Sequence, residues 1–278
     1  MTDQTTVLTE SSPLDLRLSE AELERTREHV VQFIRDVVDD AGAEGAVLGL
    51  SGGIDSTLTA YLAAEALGPE QVHGLIMPSE VNREDDRSDA ERVAQELGIA
   101  YDVIEIRSIV DRFTSAFPEG RDDKLATGNV RVRVRGVLNY YVANHENRVV
   151  LGTGNRTEAL TGYFTKYGDQ AVDCNPIGNL YKQQVRQLAA HVGVPDDLVM
   201  RTPTAGMWVG QTDEEELGLS YDVIDAILAL HVDGPLSATA TVRALDGVDE
   251  QQVTSVVDLY ERSEHKRSMP PAPDQLRL

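Results

Sequence analysis

Eight consecutive residues, Gly49, Leu50, Ser51, Gly52, Gly53, Ile54, Asp55 and Ser56, carry the densest chemical information in the chain. They overlap a short apolar run at 46–50 (AVLGL) and lead into an Ala- and Leu-rich stretch, 57–67, that stops at Gly68-Pro69. The order is buried strand, glycine turn, helix. A helix start offers unpaired N–H groups and the positive end of the peptide dipoles. Open α/β sheets bind ligands beyond the carboxyl ends of their strands, so an anion belongs there. Gly52 and Gly53 lack Cβ atoms and let phosphate approach the backbone. Ser51 and Ser56 add hydroxyl donors, and Asp55 supplies an oxygen ligand suited to Mg²⁺. A plain glycine turn whose Ser and Asp cap the next helix accounts for two glycines equally well. The GxxxxGK[ST] string does not occur, which disfavours γ-phosphoryl transfer by that machinery.

Such a loop works only if strands and helices hold it in place. Ser19 followed by Glu22 is a capping-box pattern, and Leu23, Val30, Phe33, Ile34, Val37 and Val38 recur at helical spacing up to Gly42 and Gly45, predicting a helix over 20–40. Residues 72–77 (VHGLIM) read as a buried strand, 85–97 as a helix closed by Gly98, and 101–106 (YDVIEI) as another strand. A helix over 127–145 and a strand over 148–152 (RVVLG) follow, although RVRVRG at 131–136 also fits an amphipathic strand. Buried strands alternating with helices predict an α/β fold, a doubly wound parallel sheet with helices on both faces. Beyond 153 the pattern turns to helices (180–192, 220–230, 250–263) joined by Gly/Pro-rich loops. Residues 1–18 read as a loose N-terminal arm, and 19–278 as a single domain with a helical C-terminal part.

Composition bounds the function. The chain has 278 residues, 47 Asp+Glu against 25 Lys+Arg, and a net charge of −22. That charge repels nucleic acid and anionic membranes, so neither is an expected partner. It also fits a hydrated surface adapted to high salt. One cysteine, Cys174, excludes an intramolecular disulfide, a CxxC pair and a cysteine zinc cage. The first 20 residues contain no basic-then-apolar signal, and no apolar run approaches the roughly 20 residues that span a bilayer. A soluble, cytoplasmic protein is expected.

The SGGxDS string resembles the pyrophosphate-binding loop of the ATP pyrophosphatases, which cleave ATP to AMP and pyrophosphate while adenylating a substrate oxygen. Three further segments narrow the resemblance: LGTGNRTEALTGYFTKYGDQAVDCNPIGNLYKQQVRQLA (151–189), PTAGMWVGQTDEEELGLSYDVID (203–225) and HKRSMPPAP (265–273). With these the chain is similar to the NAD synthetases from about residue 20 to its end. The resemblance implies an adenine-nucleotide alpha-hydrolase-like fold and amidation of deamido-NAD with ammonia through an acyl-adenylate. For ATP it implies contacts from Gly49, Leu50, Ser51, Gly52, Gly53, Ile54, Asp55 and Ser56, and from Thr153, Lys182 and Thr204. It implies Mg²⁺ at Asp55 and Glu158, and deamido-NAD at Arg133, Lys166, Asp173, His265 and Lys266. No side chain need act as a covalent nucleophile. Tyr163, Phe164 and Tyr167 are candidates to stack on a pyridine or adenine ring. A homodimer is implied, because the family builds its deamido-NAD site across a subunit interface.

Two departures stand out. The family's long helix usually reads A-R-x-R-M where this chain has Val132 and Gly136, which weakens Arg133 as an assignment. Bacterial members carry Asp-His after the Gly-Thr, whereas GTGNRTE is similar to archaeal members. A glutamine-hydrolysing version would need an added amidohydrolase domain with a nucleophilic Cys, which the 45 residues ahead of Ala46 cannot supply, so free ammonia is the expected nitrogen donor. The competing readings are another adenylating amidotransferase or thiolase, against which the single Cys counts, and a noncatalytic nucleotide-binding regulator, against which the pair Asp55 and Glu158 counts.

Overall fold

The computed structural model describes residues 15–79, 84–204, 206, 208 and 211–273. Helix α1 (Glu20–Asp40) opens with the reciprocal capping box expected of Ser19 and Glu22. Strand β1 (Ala46–Gly49) leads into α2 (Ile54–Leu67), which is apolar on most sides and correspondingly buried. Then come β2 (Val72–Ile76), α3 (Glu84–Leu97), β3 (Ala100–Val103), α4 (Arg107–Ala116), α5 (Lys124–Glu146) and β4 (Val149–Leu151). All four strands are parallel, in the order β3-β2-β1-β4. Strand order therefore reverses between β1 and β4. A crevice at the carboxyl ends of those two strands is where doubly wound sheets take ligands.

Alternation along the strands feeds two cores. Ala46, Leu48, Val72, Ile76, Val149 and Leu151 face α1, α2, α3 and the later α7 (Lys182–His191). Val47, Leu75 and Val150 face the opposite way, against Ile106, Val110, Val134 and Ala143 of the α4–α5 layer. Helices thus cover both faces, as expected.

The C-terminal part adds α6 (Arg156–Thr161) before α7, then α8 (Asp196–Val199), α9 (Asp213–Leu217) and α10 (Tyr221–Ile227), which runs on as a π turn to Val232. Helices α11 (Ala238–Ala244), α12 (Glu250–Arg262) and α13 (Glu264–Arg267) complete it. Ile224, Ile227, Leu228, Val253 and Val256 form a third core.

Several expectations change in detail. The 101–106 strand ends at Val103, and as an edge strand it is largely exposed; Tyr101 packs on the first core, and Ile104 and Ile106 turn in against the α4–α5 layer. RVRVRG lies wholly in α5, so the strand alternative falls. Of the arm expected over 1–18, residues 1–14 lie outside the described residues, while Leu16 is buried in the third core and Gln187 binds the Leu16 carbonyl and the Leu18 N–H. Among the described residues no helix is long and apolar enough to cross a membrane.

Candidate functional site

The glycine loop spans the end of β1 and the start of α2, with Gly53 as the helix N-cap. Gly52 sits at φ 80°, and a Cβ there would stand 2.4 Å from the Asp86 carbonyl oxygen of α3. Conformation and space both demand glycine. Ser56 also holds the loop from within. It is buried, its Oγ donates to the Gly53 carbonyl (3.1 Å) and accepts the Ser51 N–H (3.2 Å), so its one hydrogen fastens the loop. Ser51 remains exposed, its Oγ accepting the Gly53 N–H at 3.2 Å.

Beyond β4, Asn155 caps α6 through a second reciprocal box with Glu158. The same Asn155 donates Nδ2 to Asp55 Oδ1 at 2.9 Å, tying the two carboxylates across the β1–β4 crevice. Lys182, the first residue of α7, is 2% exposed and lies between them, its Nζ 2.6 Å from Asp55 Oδ2 and 3.5 Å from Glu158 Oε1. Burial alone would draw the ammonium toward its neutral form. Asp55 and Glu158 more than reverse this and hold its pKa above the ordinary lysine value. Burial also lifts Glu158 above the usual carboxylate range, against the pull of Lys182 and with the repulsion of Asp55. Two carboxylates converging on one cation form a donor set for a hard divalent ion completed by phosphate oxygens and water. Among the described residues no group of three or more His, Cys, Asp or Glu converges to hold a metal alone.

Two cavities border the glycine loop. One, about 260 Å³, lies over the carboxyl ends of the strands between Leu50, Ile76, Met77, Arg135 and Gly152. The other, about 560 Å³, is lined by Asp55, Glu158, Tyr163, Phe164, Lys182 and Thr204 among others. They share Ser51, Asp86, Val132, Thr153 and Asp169 as common wall. Asp169 accepts the Thr165 N–H at 2.7 Å.

The remaining predicted residues divide. Lys266 lines the larger cavity and donates to the carbonyls of Gly162 (2.8 Å) and Phe164 (2.9 Å). Arg133 and His265 are exposed, Lys166 is half-buried, and all three lie outside both cavity walls, but they are strung together: Arg133 donates to the Lys166 carbonyl (3.2 Å) and Lys166 Nζ to the His265 carbonyl. Asp173 stands apart from them, its carboxylate accepting the Val150 N–H (2.7 Å) and the Tyr140 hydroxyl (3.0 Å). Tyr163 and Phe164 face the larger cavity, whereas Tyr167 is exposed. The unusual Val132 and Gly136 both pack on Gly168, where a Cβ on Gly136 would come within 3.2 Å of the Gly168 carbonyl oxygen. They let the 163–171 loop sit against α5.

The sequence reading missed Asn155, Arg135, Asp169 and Asp213. Asn155 had a legible signal, the N-x-x-E cap in GNRTE. Asp213 had none, since it opens a run of four acids (DEEE) that reads as solvated surface, yet it is 3% exposed and accepts hydroxyls from Tyr163 (3.1 Å) and Tyr221 (2.9 Å).

Comparison with known proteins agrees with this geometry. The family model described as NAD synthase matches residues 26–270. An NH(3)-dependent NAD(+) synthetase of Halobacterium salinarum is 61% identical over 262 residues, covering 94% of this chain and 97% of that protein. Among solved structures, an NMN synthetase from Francisella tularensis superposes with a TM-score of 0.80 at 34% identity, covering 93% of this chain and 100% of that one. An NH3-dependent NAD synthetase from Campylobacter jejuni gives 0.76 at 30% identity, covering 91% and 99%. With a glycine loop at the switch point of a parallel sheet, a lysine buried between two carboxylates, and these matches over nearly the whole chain, the protein belongs to the NAD synthase family.

Proposed function

We propose that this chain amidates deamido-NAD with ammonia, consuming ATP and releasing AMP and pyrophosphate. The observation that carries the reading is the pair of cavities meeting at Ser51 and Thr153, with the glycine loop at the junction and Lys182 in the wall of the larger one. Two nucleotides seated there would bring a carboxylate against an α-phosphate. The smaller cavity, walled by Leu50, Ile76 and Met77, suits an adenine; the larger, with Tyr163 and Phe164, suits a pyridine ring.

In the first step a nicotinate oxygen attacks the α-phosphorus and the bond to pyrophosphate breaks. Lys182 and the N–H groups at the start of α2 neutralise the departing charge. In the second, the ammonia nitrogen attacks the acyl carbon, the carbon–oxygen bond to AMP breaks, and a proton leaves the nitrogen. Orientation supplies much of the acceleration, since no covalent nucleophile is needed. Asp55 and Glu158 would hold Mg²⁺, which when bound offsets charge on phosphate oxygens. Thr153 and Thr204 would complete the ATP contacts. Arg133, Lys166, Asp173, His265 and Lys266 would serve deamido-NAD, the exposed ones at an interface with a second copy of the chain. A cytoplasmic homodimer using free ammonia is the corresponding physiological reading.

Purified protein given ATP, Mg²⁺, ammonium and deamido-NAD is expected to form NAD, AMP and pyrophosphate in equal amounts. ADP with orthophosphate would refute the reaction class. Supplying nicotinate mononucleotide in a parallel reaction tests the acid substrate, since one structural relative is an NMN synthetase. Deamido-NAD is expected to be preferred.

The charge of −22 supports adaptation to high salt. The Debye length falls from about 30 Å at 0.01 M to about 3 Å at 1 M, screening repulsion among surface acids. Not every acid contributes: Asp86 and Asp89 pair with Arg201, and Asp213 is buried. The excess remains large, and the thermal midpoint is expected to rise between low and molar KCl. A flat or falling midpoint would defeat the salt-adapted reading alone.

A further inference from the structure

Helix α10 belongs to the C-terminal layer, yet its buried face reaches the phosphate site. Tyr221 and Asp225, one turn apart, are both 0% exposed. Asp225 accepts the Thr157 hydroxyl (2.5 Å) and the Gln183 N–H (2.9 Å), while the Thr157 hydroxyl accepts the Lys182 N–H (3.0 Å). It therefore pins the backbone on either side of Lys182 to the turn that carries Glu158. Tyr221 acts at the other end of the same lysine: its ring centroid lies 5.2 Å from Lys182 Nζ. Its hydroxyl donates to Asp213 Oδ2 at 2.9 Å, and Asp213 also takes the hydroxyl of Tyr163 in the wall of the larger cavity.

A lysine side chain has four rotatable bonds, and a buried ammonium unrestrained on one side would swing between its carboxylates and any other electronegative surface. The π-face of Tyr221 removes that freedom with an attraction that is strongest when desolvated, as here. We propose that Tyr221 is a positioning residue for adenylation, its ring holding the Lys182 ammonium toward the α-phosphate end of the crevice and its hydroxyl locked by Asp213. The proposal rests on the reading of Lys182 as the group that meets the pyrophosphate.

The test must separate an electrostatic hold from mere filling of space. Tyr221→Phe keeps the ring and loses only the bond to Asp213; it is expected to retain most of the wild-type rate of AMP formation. Mono-, di- and trifluorinated phenylalanines placed at 221 drain the ring's negative face at almost constant volume. The single-turnover rate of adenylation is expected to fall stepwise, by roughly tenfold from Phe to the trifluoro ring, with the KM for ammonia unchanged. Ile224→Ala, a cavity on the same helix, is expected to lower the thermal midpoint without lowering that rate. A rate flat across the fluorinated series would overturn the positioning role. Should the Tyr221→Phe protein fail to fold, ring-fluorinated tyrosines, which keep the hydroxyl bond to Asp213, take the place of the series, and a rate flat across them would overturn the role equally. Wild-type protein that makes no AMP from ATP and deamido-NAD would instead sink the underlying reading of Lys182.

Discussion

Asp55→Asn is expected to lower the rate of AMP formation at least a hundredfold and to lower the thermal midpoint by roughly 5 °C. The first part follows from the metal reading, in which the substitution removes one of two anionic ligands. The second comes from the geometry. Asp55 accepts on both oxygens, from Lys182 Nζ and from Asn155 Nδ2. An asparagine has one acceptor. Whichever way its amide turns, its NH₂ faces a donor, and Asn155 cannot flip to compensate because its Oδ1 accepts the Glu158 N–H. Lys182 is then buried against Glu158 alone, and an underpaired buried charge costs several kcal/mol before relaxation. Activity assays with Mg²⁺ titration and a melting curve check both parts. Near-normal turnover would remove Asp55 from the metal shell, and an unchanged midpoint would show that the Lys182 contact contributes little to folding.

Gly52→Ala is expected to be as damaging to turnover, while Gly53→Ala leaves stability nearly untouched. The two glycines are adjacent and look interchangeable in sequence. At Gly52 a methyl meets the backbone of Asp86 at 2.4 Å with φ at 80°, and neither the α3 carbonyl nor the helix behind it is a yielding side chain. The loop must move off α3, and a displacement of about 1 Å at a phosphate cradle costs on the order of a hundredfold in rate. At Gly53 φ is −84°, and the nearest atom to a Cβ is the Ser51 hydroxyl at 3.3 Å. Steady-state kinetics and chemical denaturation of the two variants check the contrast. Equal losses of stability in both would contradict it.

The SGGIDS string, the capping box at Ser19 and the alternation of apolar strands with helices were all readable because each is local. A capping box needs three residues, and a buried parallel strand announces itself as an unbroken apolar run. β4 and the C-terminal helices α7, α10 and α12 were legible on the same grounds. Helix α4 was missed, and the edge strand β3 was drawn too long, because continuing an apolar run into a strand or tucking it under a helix depends on neighbours in space. Ile104 and Ile106 were read as strand, and they turn inward where the α4–α5 layer covers them.

The sequence by itself determined that a glycine turn joins a buried strand to a helix, and its likeness to known families pointed to adenylating chemistry. Only the tertiary structure decided which side chains meet. Ser56 became a fastener of the loop because its hydroxyl is enclosed by Gly53 and Ser51, not because of its type. Asp213, the first of four acids, was drawn into the interior because two tyrosines from elements 50 residues before it and 8 after it aim their hydroxyls there. Lys182 lies 127 residues from Asp55, and the pair exists only because strand order reverses between β1 and β4 and opens a crevice into which α7 points. Spacing along a chain encodes turns, caps and faces. Contacts over a hundred residues are set by how those faces are buried together, and that is where the charge balance of the site is fixed.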